Sequence, residues 1–209
     1  MGIPVATTRI ISPRAALAAG LVALALTSSG CITLGKAAKG IYLPDYEVFT
    51  GSLTPRAGPV VLVEDARAGG AYDSLYMVQR TSAAGMDERR DTEWRVKPAA
   101  LVTEKLLEHF MASDRFGWAR SSGRPLDLRV RARVRRFDEV HDAGGWSAVF
   151  AVDIEVLAAD EKPVAYLRIP EVRKPAATAD SDGVADAMAE AMREGLDAAV
   201  VAVANAWSR

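Results

Sequence analysis

Two runs of strict alternation constrain this chain more than any other feature of it. Leu126, Leu128, Val130, Ala132 and Val134 alternate with Asp127, Arg129, Arg131, Arg133 and Arg135. Beyond a glycine pair, Gly144 and Gly145, a second set alternates: Trp146, Ala148, Phe150, Val152, Ile154 and Val156, with Asp153 and Glu155 among the residues between. Successive side chains of a strand point to opposite faces, so each run reads as a strand with one face in a core. The glycines between them turn the chain into an antiparallel hairpin. Arg136 breaks the parity and marks an end or a bulge. Both apolar sets occupy even positions, so facing residues sum to an even number. A sum of 288 sets Arg135 against Asp153 and Arg133 against Glu155, whereas 286 sets Arg133 against Asp153 and Arg131 against Glu155. Either register pairs opposite charges on the outer face, at about 0.2–1 kcal/mol per pair.

The remaining pattern supplies the elements around that hairpin. Tyr46, Val48 and Phe49 suggest a first strand after Pro44, and Val60 to Val63 (VVLV) reads as a strand buried on both faces. Leu75 to Gln79 and Thr92 to Val96 form two more, separated by a polar loop at Ser82 to Asp91. Pro98 opens a helix that ends near Ser113. Its buried stripe is Ala99, Val102, Leu106, Leu107 and Phe110, and Glu104, Lys105 and Glu108 lie opposite. Pro163 to Ile169 is an edge strand stopped by Pro170. Asp182 caps a long helix from about Gly183 to Trp207, whose buried stripe runs from Val184 through Met188 and Leu196 to Trp207. The expected fold is α+β, a mainly antiparallel sheet with two amphipathic helices packed on one face.

The N-terminus carries a different signal. Arg9 and Arg14 precede an unbroken apolar run, Ala15 to Leu26, then small residues and Cys31, the single cysteine of the chain. That run is shorter than the roughly 20 residues of a bilayer-spanning helix and reads as a cleaved secretion signal. Gly30 before Cys31 suits lipoprotein signal peptidase, and Ser28 stands where leucine is usual, which permissive forms of the motif accept. The expectation is a signal peptide over 1–30, a lipidated tether and first strand over 31–58, and one α+β domain over 59–209. A diacylglyceryl thioether and an amide-linked acyl chain at Cys31 would hold the protein to a membrane, at about 0.8 kcal/mol per buried CH₂. No other cofactor is implied. Ile32, where aspartate would retain the protein in the inner membrane, favours the outer membrane facing the periplasm.

The chain's formal charge is −1, and loss of Arg9 and Arg14 leaves −3. That balance argues against nucleic-acid binding. Nucleophile elbows, phosphate-binding glycine loops and metal-ligand spacings are missing from the sequence, so a non-enzyme is expected. His109 reads as a helix-surface residue and His141 as a loop residue. The ladder of Arg129, Arg131, Arg133 and Arg135 has two readings. It is a solvated outer face partly neutralised by Asp153 and Glu155, or a docking face for a partner or anionic headgroups. Four like charges on one strand repel, and an acidic partner would offset that repulsion.

From Val60 to Trp207 the chain resembles the ABC-type transport auxiliary lipoprotein family, the PqiC/YmbA-like group. The resemblance rests on Tyr76-Met77-Val78, on the Glu93-Trp94-Arg95-Val96-Lys97-Pro98 junction into the Leu101–Phe110 helix, and on Phe116. Arg136-Phe137 and the alanine-rich last helix ending in Trp207 complete it. It implies a non-catalytic outer-membrane lipoprotein, the auxiliary part of an Mce-type ABC system moving phospholipid or another hydrophobic molecule. Its partners would be an Mce-domain protein and the permease–ATPase complex, with self-association left open. The alternative is an outer-membrane assembly factor or enzyme activator, LptE-like or penicillin-binding-protein-activator-like. A third reading is a lipid carrier with a cavity lined by Trp94, Trp146 and Phe150.

Overall fold

The computed structural model describes residues 39–48, 56–82 and 84–208. Cys31, the signal segment and Phe49 lie outside them. Among the described residues the fold is α+β, with a ten-stranded sheet and two long helices.

The hairpin is the frame. β7 (Leu128–Asp142) and β8 (Gly145–Ala158) pair antiparallel along their whole lengths. The register is the 286 alternative, with Arg133 opposite Asp153 and Arg131 opposite Glu155. At Arg136 the strand bulges and continues, so that Arg136 faces Ala151 and Phe137 faces Phe150. The extra residue reverses the parity. Val130, Ala132 and Val134 enter the core before the bulge, and Phe137 enters it afterwards.

Short strands fill the outer edges of this frame. β2 (Val60–Val63), β3 (Arg67–Ala68) and β4 (Tyr76–Arg80) line up along the free edge of β7, all parallel to it. A 3₁₀ turn, Gly70–Asp73, links β3 to β4. β5 (Met86–Trp94) pairs antiparallel with β4, β1 (Gly40–Tyr42) runs parallel to β5, and β6 (Trp118–Arg120) runs parallel to β2. The far edge of β8 takes β9 (Pro163–Arg168) and β10 (Val172–Pro175), both antiparallel. The sheet is therefore mixed: its long pairings are antiparallel, and its inserted short ones are parallel.

Three local expectations change. The first strand precedes Pro44, at Gly40–Tyr42, and 43–48 carries no regular structure. Most of the expected polar loop before Asp91 is strand, because β5 is held by backbone bonds to its neighbours while Met86–Glu88 and Arg90–Asp91 stay exposed. The last helix is capped by Asp180, whose side chain accepts from Gly183 N at 2.8 Å, and Asp182 lies inside its first turn.

α1 (Pro98–Ala112) buries Leu101, Val102, Leu106 and Phe110, and α2 (Ser181–Trp207) buries Val184, Met188, Met192, Leu196 and Val203. Both join one core with the apolar residues of β7 and β8, on one face of the sheet. Lys105, expected on the outer side of α1, is only 5% exposed, whereas Trp207, expected in the stripe of α2, is 39% exposed. Gly195 sets how closely α2 approaches: a Cβ there would lie 2.7 Å from the Phe150 ring. Trp94 and Phe150 each meet the Phe137 ring edge-on, at 5.2 and 6.2 Å. The side chains expected to line an apolar cavity thus fill the core instead, and Trp146 stacks on His141 at the hairpin end.

The cap assignment is testable. Asp180→Ala should cost about 1 kcal/mol in urea unfolding, the usual worth of an N-cap side chain. Asp182→Ala should cost less, since it loses only a favourable position near the helix N-terminus.

Candidate binding face

The side of the sheet away from the helices carries charge. Arg129, Arg131 and Arg133 project there from β7, because Leu128, Val130 and Ala132 take the core side. The bulge then brings Arg135 and Arg136, two consecutive residues, to that same face, where both border one hollow with Asp153. Regular alternation would have sent one of them inward.

Most of this ladder is answered from within the fold. Glu64, just after β2, accepts from Arg129 at 3.0 Å and from Arg131 at 2.6 Å. The Arg131 bond, then the Arg129 one, holds the Glu64 carboxyl below its ordinary range despite some desolvation. Glu155 lies 3.6 Å from Arg131. Asp153 is 3% exposed and accepts from the Tyr166 hydroxyl at 2.7 Å. Arg135 Nε lies 2.7 Å from Asp153 Oδ1, an ion pair whose N–H axis misses the oxygen, so both atoms are buried without a hydrogen bond. Arg135 instead donates through Nη2 to the Ile169 carbonyl. The expected repulsion along the ladder is therefore largely offset inside the chain, which removes the argument that Arg129 and Arg131 need a partner. Arg133 differs. It is exposed and makes no hydrogen bond or ion pair among the described residues.

Beyond the bulge a second carboxylate is fully enclosed. Asp138 accepts from Arg136 at 3.0 and 2.6 Å, from Arg80 at 2.9 Å and from the Tyr72 hydroxyl at 2.9 Å. Arg136 also reaches Glu171 at 2.8 Å. The Asp138 bond first, partly opposed by burial, pushes the Arg136 guanidinium above its ordinary value. None of these partners neighbours Asp138 in sequence except Arg136. The one sequence sign was the parity break at Arg136.

The helix side holds a polar cluster that the spacing did not reveal. His109 is 3% exposed, not a helix-surface residue. Its Nδ1 lies 2.8 Å from Asp197 Oδ1 on α2, and its Nε2 lies 3.1 Å from the Tyr46 hydroxyl. One turn earlier, Lys105 donates to the Tyr46 carbonyl at 2.9 Å and to Glu108 at 3.1 Å, and lies 2.8 Å from Asp45. Burial pulls the Lys105 ammonium down, but its bonds to Asp45 and Glu108 outweigh this and hold it above its ordinary value. Burial raises the Tyr46 hydroxyl, and burial lowers the His109 imidazole against the pull of Asp197. The arrangement clasps the segment before residue 49 onto both helices.

His141 lies at the end of β7 rather than in the turn. It stacks on Trp146 at 3.7 Å, meets Gln79 at 2.8 Å and contacts buried Glu139, which Arg89 also approaches at 3.3 Å. Among the described residues no group of three His, Cys, Asp or Glu side chains could hold a metal ion, and no helix is long and apolar enough to cross a membrane.

No protein-family model matches the chain, and no curated protein matches it in sequence. Solved structures share its fold. XCC0632 from Xanthomonas campestris, described under the family model DUF330, aligns with a TM-score of 0.68 at 20% identity, over 80% of this chain and 96% of that one. An uncharacterized protein aligns at 0.59 and 13% identity, over 80% and 97%. The hypothetical protein CT253 from Chlamydia trachomatis aligns at 0.51 and 11%, over 71% and 97%. At such identities the likeness is one of fold.

Two outcomes check this account. Asp138→Ala strips a buried carboxylate from Arg80 and Arg136 and should destabilise the domain by about 3 kcal/mol in urea unfolding. The second concerns pH. His109 has a folded-state pKa below its ordinary 6.5, so the unfolded chain takes up this proton first as pH falls. Its contribution is complete above about pH 6.5 and is lost on acidification towards the folded value. Asp197, Glu108, Lys105 and Tyr46 are the charged and titratable groups that surround it. His109→Gln should therefore flatten the fall in unfolding free energy between about pH 7.5 and 5.5, and an unchanged slope would refute the assignment.

Proposed function

We propose that this protein is an envelope lipoprotein whose α+β domain is a non-catalytic auxiliary subunit of an Mce-type ABC system, carrying phospholipid or another hydrophobic molecule across the envelope. In this reading the mature chain begins at Cys31, sits in the outer membrane through its acyl chains and faces the periplasm. Its partners are an Mce-domain protein and the associated permease and ATPase.

The observation that carries the reading is a conjunction. The lone cysteine follows a secretion-type apolar run, and the domain behind it has the fold of XCC0632 over 80% of the chain. XCC0632 is described under DUF330, the family to which the PqiC/YmbA-like lipoproteins belong, and the sequence resemblance points to that same group. The site chemistry agrees. The buried carboxylates Asp138 and Asp153 are each committed to arginine and tyrosine partners, as in a rigid frame.

Two measurements test it separately. Cells expressing the wild-type chain should incorporate radiolabelled palmitate into it, and Cys31→Ala should abolish the label and leave the precursor unprocessed. Label retained by Cys31→Ala would reject the anchor. The wild-type lipoprotein, solubilised in mild detergent from its own cells, should co-purify an Mce-domain protein. Recovery of the intact lipoprotein with cell-wall synthases, and no Mce-domain protein, would reject the transport assignment while leaving the anchor standing.

A further inference from the structure

The outer face of the sheet gathers arginine at one place. Two adjoining hollows, of about 610 and 590 Å³, share Arg133, Asp153 and Tyr166, and the first is also lined by Glu64, Asp65 and Glu155. The second lies beside the β3 turn, at the bulge of β7 and the end of β9. Arg133, Arg135, Arg136 and Arg168 line it, and Asp153 is the only acid among its lining residues. Asp138 and Glu171 neutralise Arg136 from behind. Asp153 must serve Arg135 at 2.7 Å and Arg168 at 3.5 Å, while also accepting from Tyr166. One carboxylate thus faces two guanidiniums, and Arg133 is left over.

The backbone fixes this excess. Arg67 on β3 is the direct cross-strand neighbour of Arg133 on β7, on the same outer face. Neither makes a hydrogen bond or ion pair among the described residues, and both line the first hollow. Like charges set directly opposite on paired strands destabilise a sheet. An anion in the second hollow would relieve that repulsion. It would accept from Arg133 and from the Arg168 side chain, which is 70% exposed, while the ion pairs of Arg135 and Arg136 keep the floor in place. Guanidinium forks match the paired oxygens of a phosphate, and charge-assisted bonds of this kind are the strong ones.

We propose that the second hollow is a binding site for a phosphate group, with Arg133 and Arg168 as its direct ligands. Val164 and Tyr166 stand exposed at 38% and 63% on the same strand as Arg168, four and two residues before it, and Tyr166 lines both hollows. They give the phosphate's substituent an apolar surface to lie on, which favours a phosphate ester over the bare ion. The inference does not depend on the transport reading, because it concerns direct binding by the purified protein.

The test is calorimetric titration of the detergent-solubilised full chain. The probes are short-chain phosphatidylglycerol, short-chain phosphatidylcholine, glycerol 3-phosphate and inorganic phosphate, each below its aggregation threshold. Phosphatidylglycerol or glycerol 3-phosphate should bind saturably, and binding should weaken as salt rises. Arg133→Gln and Arg168→Gln should each lower affinity about tenfold, the worth of one charge-assisted contact. Arg193→Gln, on the exposed side of α2, should leave it unchanged, and all three variants should unfold in one cooperative transition as the wild type does. Preference for the lipid over glycerol 3-phosphate identifies a headgroup as the source, and the reverse identifies a soluble phosphate ester; both support the site. Saturable binding of none of the probes would overturn it. So would wild-type affinity retained in Arg133→Gln and Arg168→Gln, or phosphatidylcholine binding as tightly as phosphatidylglycerol.

Discussion

Everything in this domain hangs on the backbone pairing of β7 with β8 and on the single residue inserted near its middle. The pairing runs unbroken in direction from Leu128 to Asp142, yet its register shifts by one between Val134 and Arg136. One face of β7 can thus hold valines and alanine against α1 and α2 in its first half and Phe137 in its second. β8 covers one edge of this long strand, and no single strand covers the other. Three short strands, β2, β3 and β4, share it instead, all parallel to it and laid one after another along its length. The mixed topology follows from that length.

The bulge also decides the charge distribution. Without it, Arg135 and Arg136 would lie on opposite faces, and one would require a buried acid beneath the helices. With it, both border the same hollow, and Asp153 and Asp138 are drawn inward to meet them. A buried carboxylate is tolerated when its charge is answered, and here arginines and a tyrosine hydroxyl surround each one, Asp153 Oδ1 through ion pairs alone. What appears in the sequence as a uniform ladder is in the structure a graded series. Arg129 and Arg131 are bound to Glu64, Arg135 and Arg136 to aspartates, and Arg133 lies between them with no such partner.

How much of this could be read in the sequence depends on whether side chains or backbone carried the signal. The hairpin, its two allowed registers and both helices were legible, because burying one face imposes a period of 2 or 3.6 on the apolar residues. Leu126 to Val134 and Val184 to Val203 show those periods openly. Of β5 only the end from Thr92 was legible, since the side chains before it are mostly exposed and its order comes from backbone bonds to β4 and β1. β3, two residues long, leaves no pattern at all. Lys105 and His109 misled for a related reason. They sit on the edge of the stripe of α1, and the groups that make their burial tolerable, Asp45, Tyr46 and Asp197, lie 59 to 88 residues away in the chain or in a segment without regular structure. Choosing Asp182 over Asp180 as the cap was a shift of two residues, within reach of either carboxylate until Gly183 N selects one.

The helix-side cluster invites comparison with a catalytic relay, since a hydroxyl, an imidazole and a carboxylate stand in line. The physical chemistry points elsewhere. A nucleophilic hydroxyl is activated when its pKa falls towards that of its base, yet burial moves the Tyr46 hydroxyl up while it moves the His109 imidazole down. The gap between acid and base is widened, so the proton stays on the phenol. Asp197, whose side chain is 67% exposed, is too well solvated to raise the imidazole's basicity as an enclosed carboxylate would. Neutral His109 is instead a two-ended connector between α2 and the segment at residues 43–48, and Lys105 fastens the same segment through the Tyr46 carbonyl and Asp45. That segment crosses the helix side, whereas the arginine hollows open on the opposite side of the sheet.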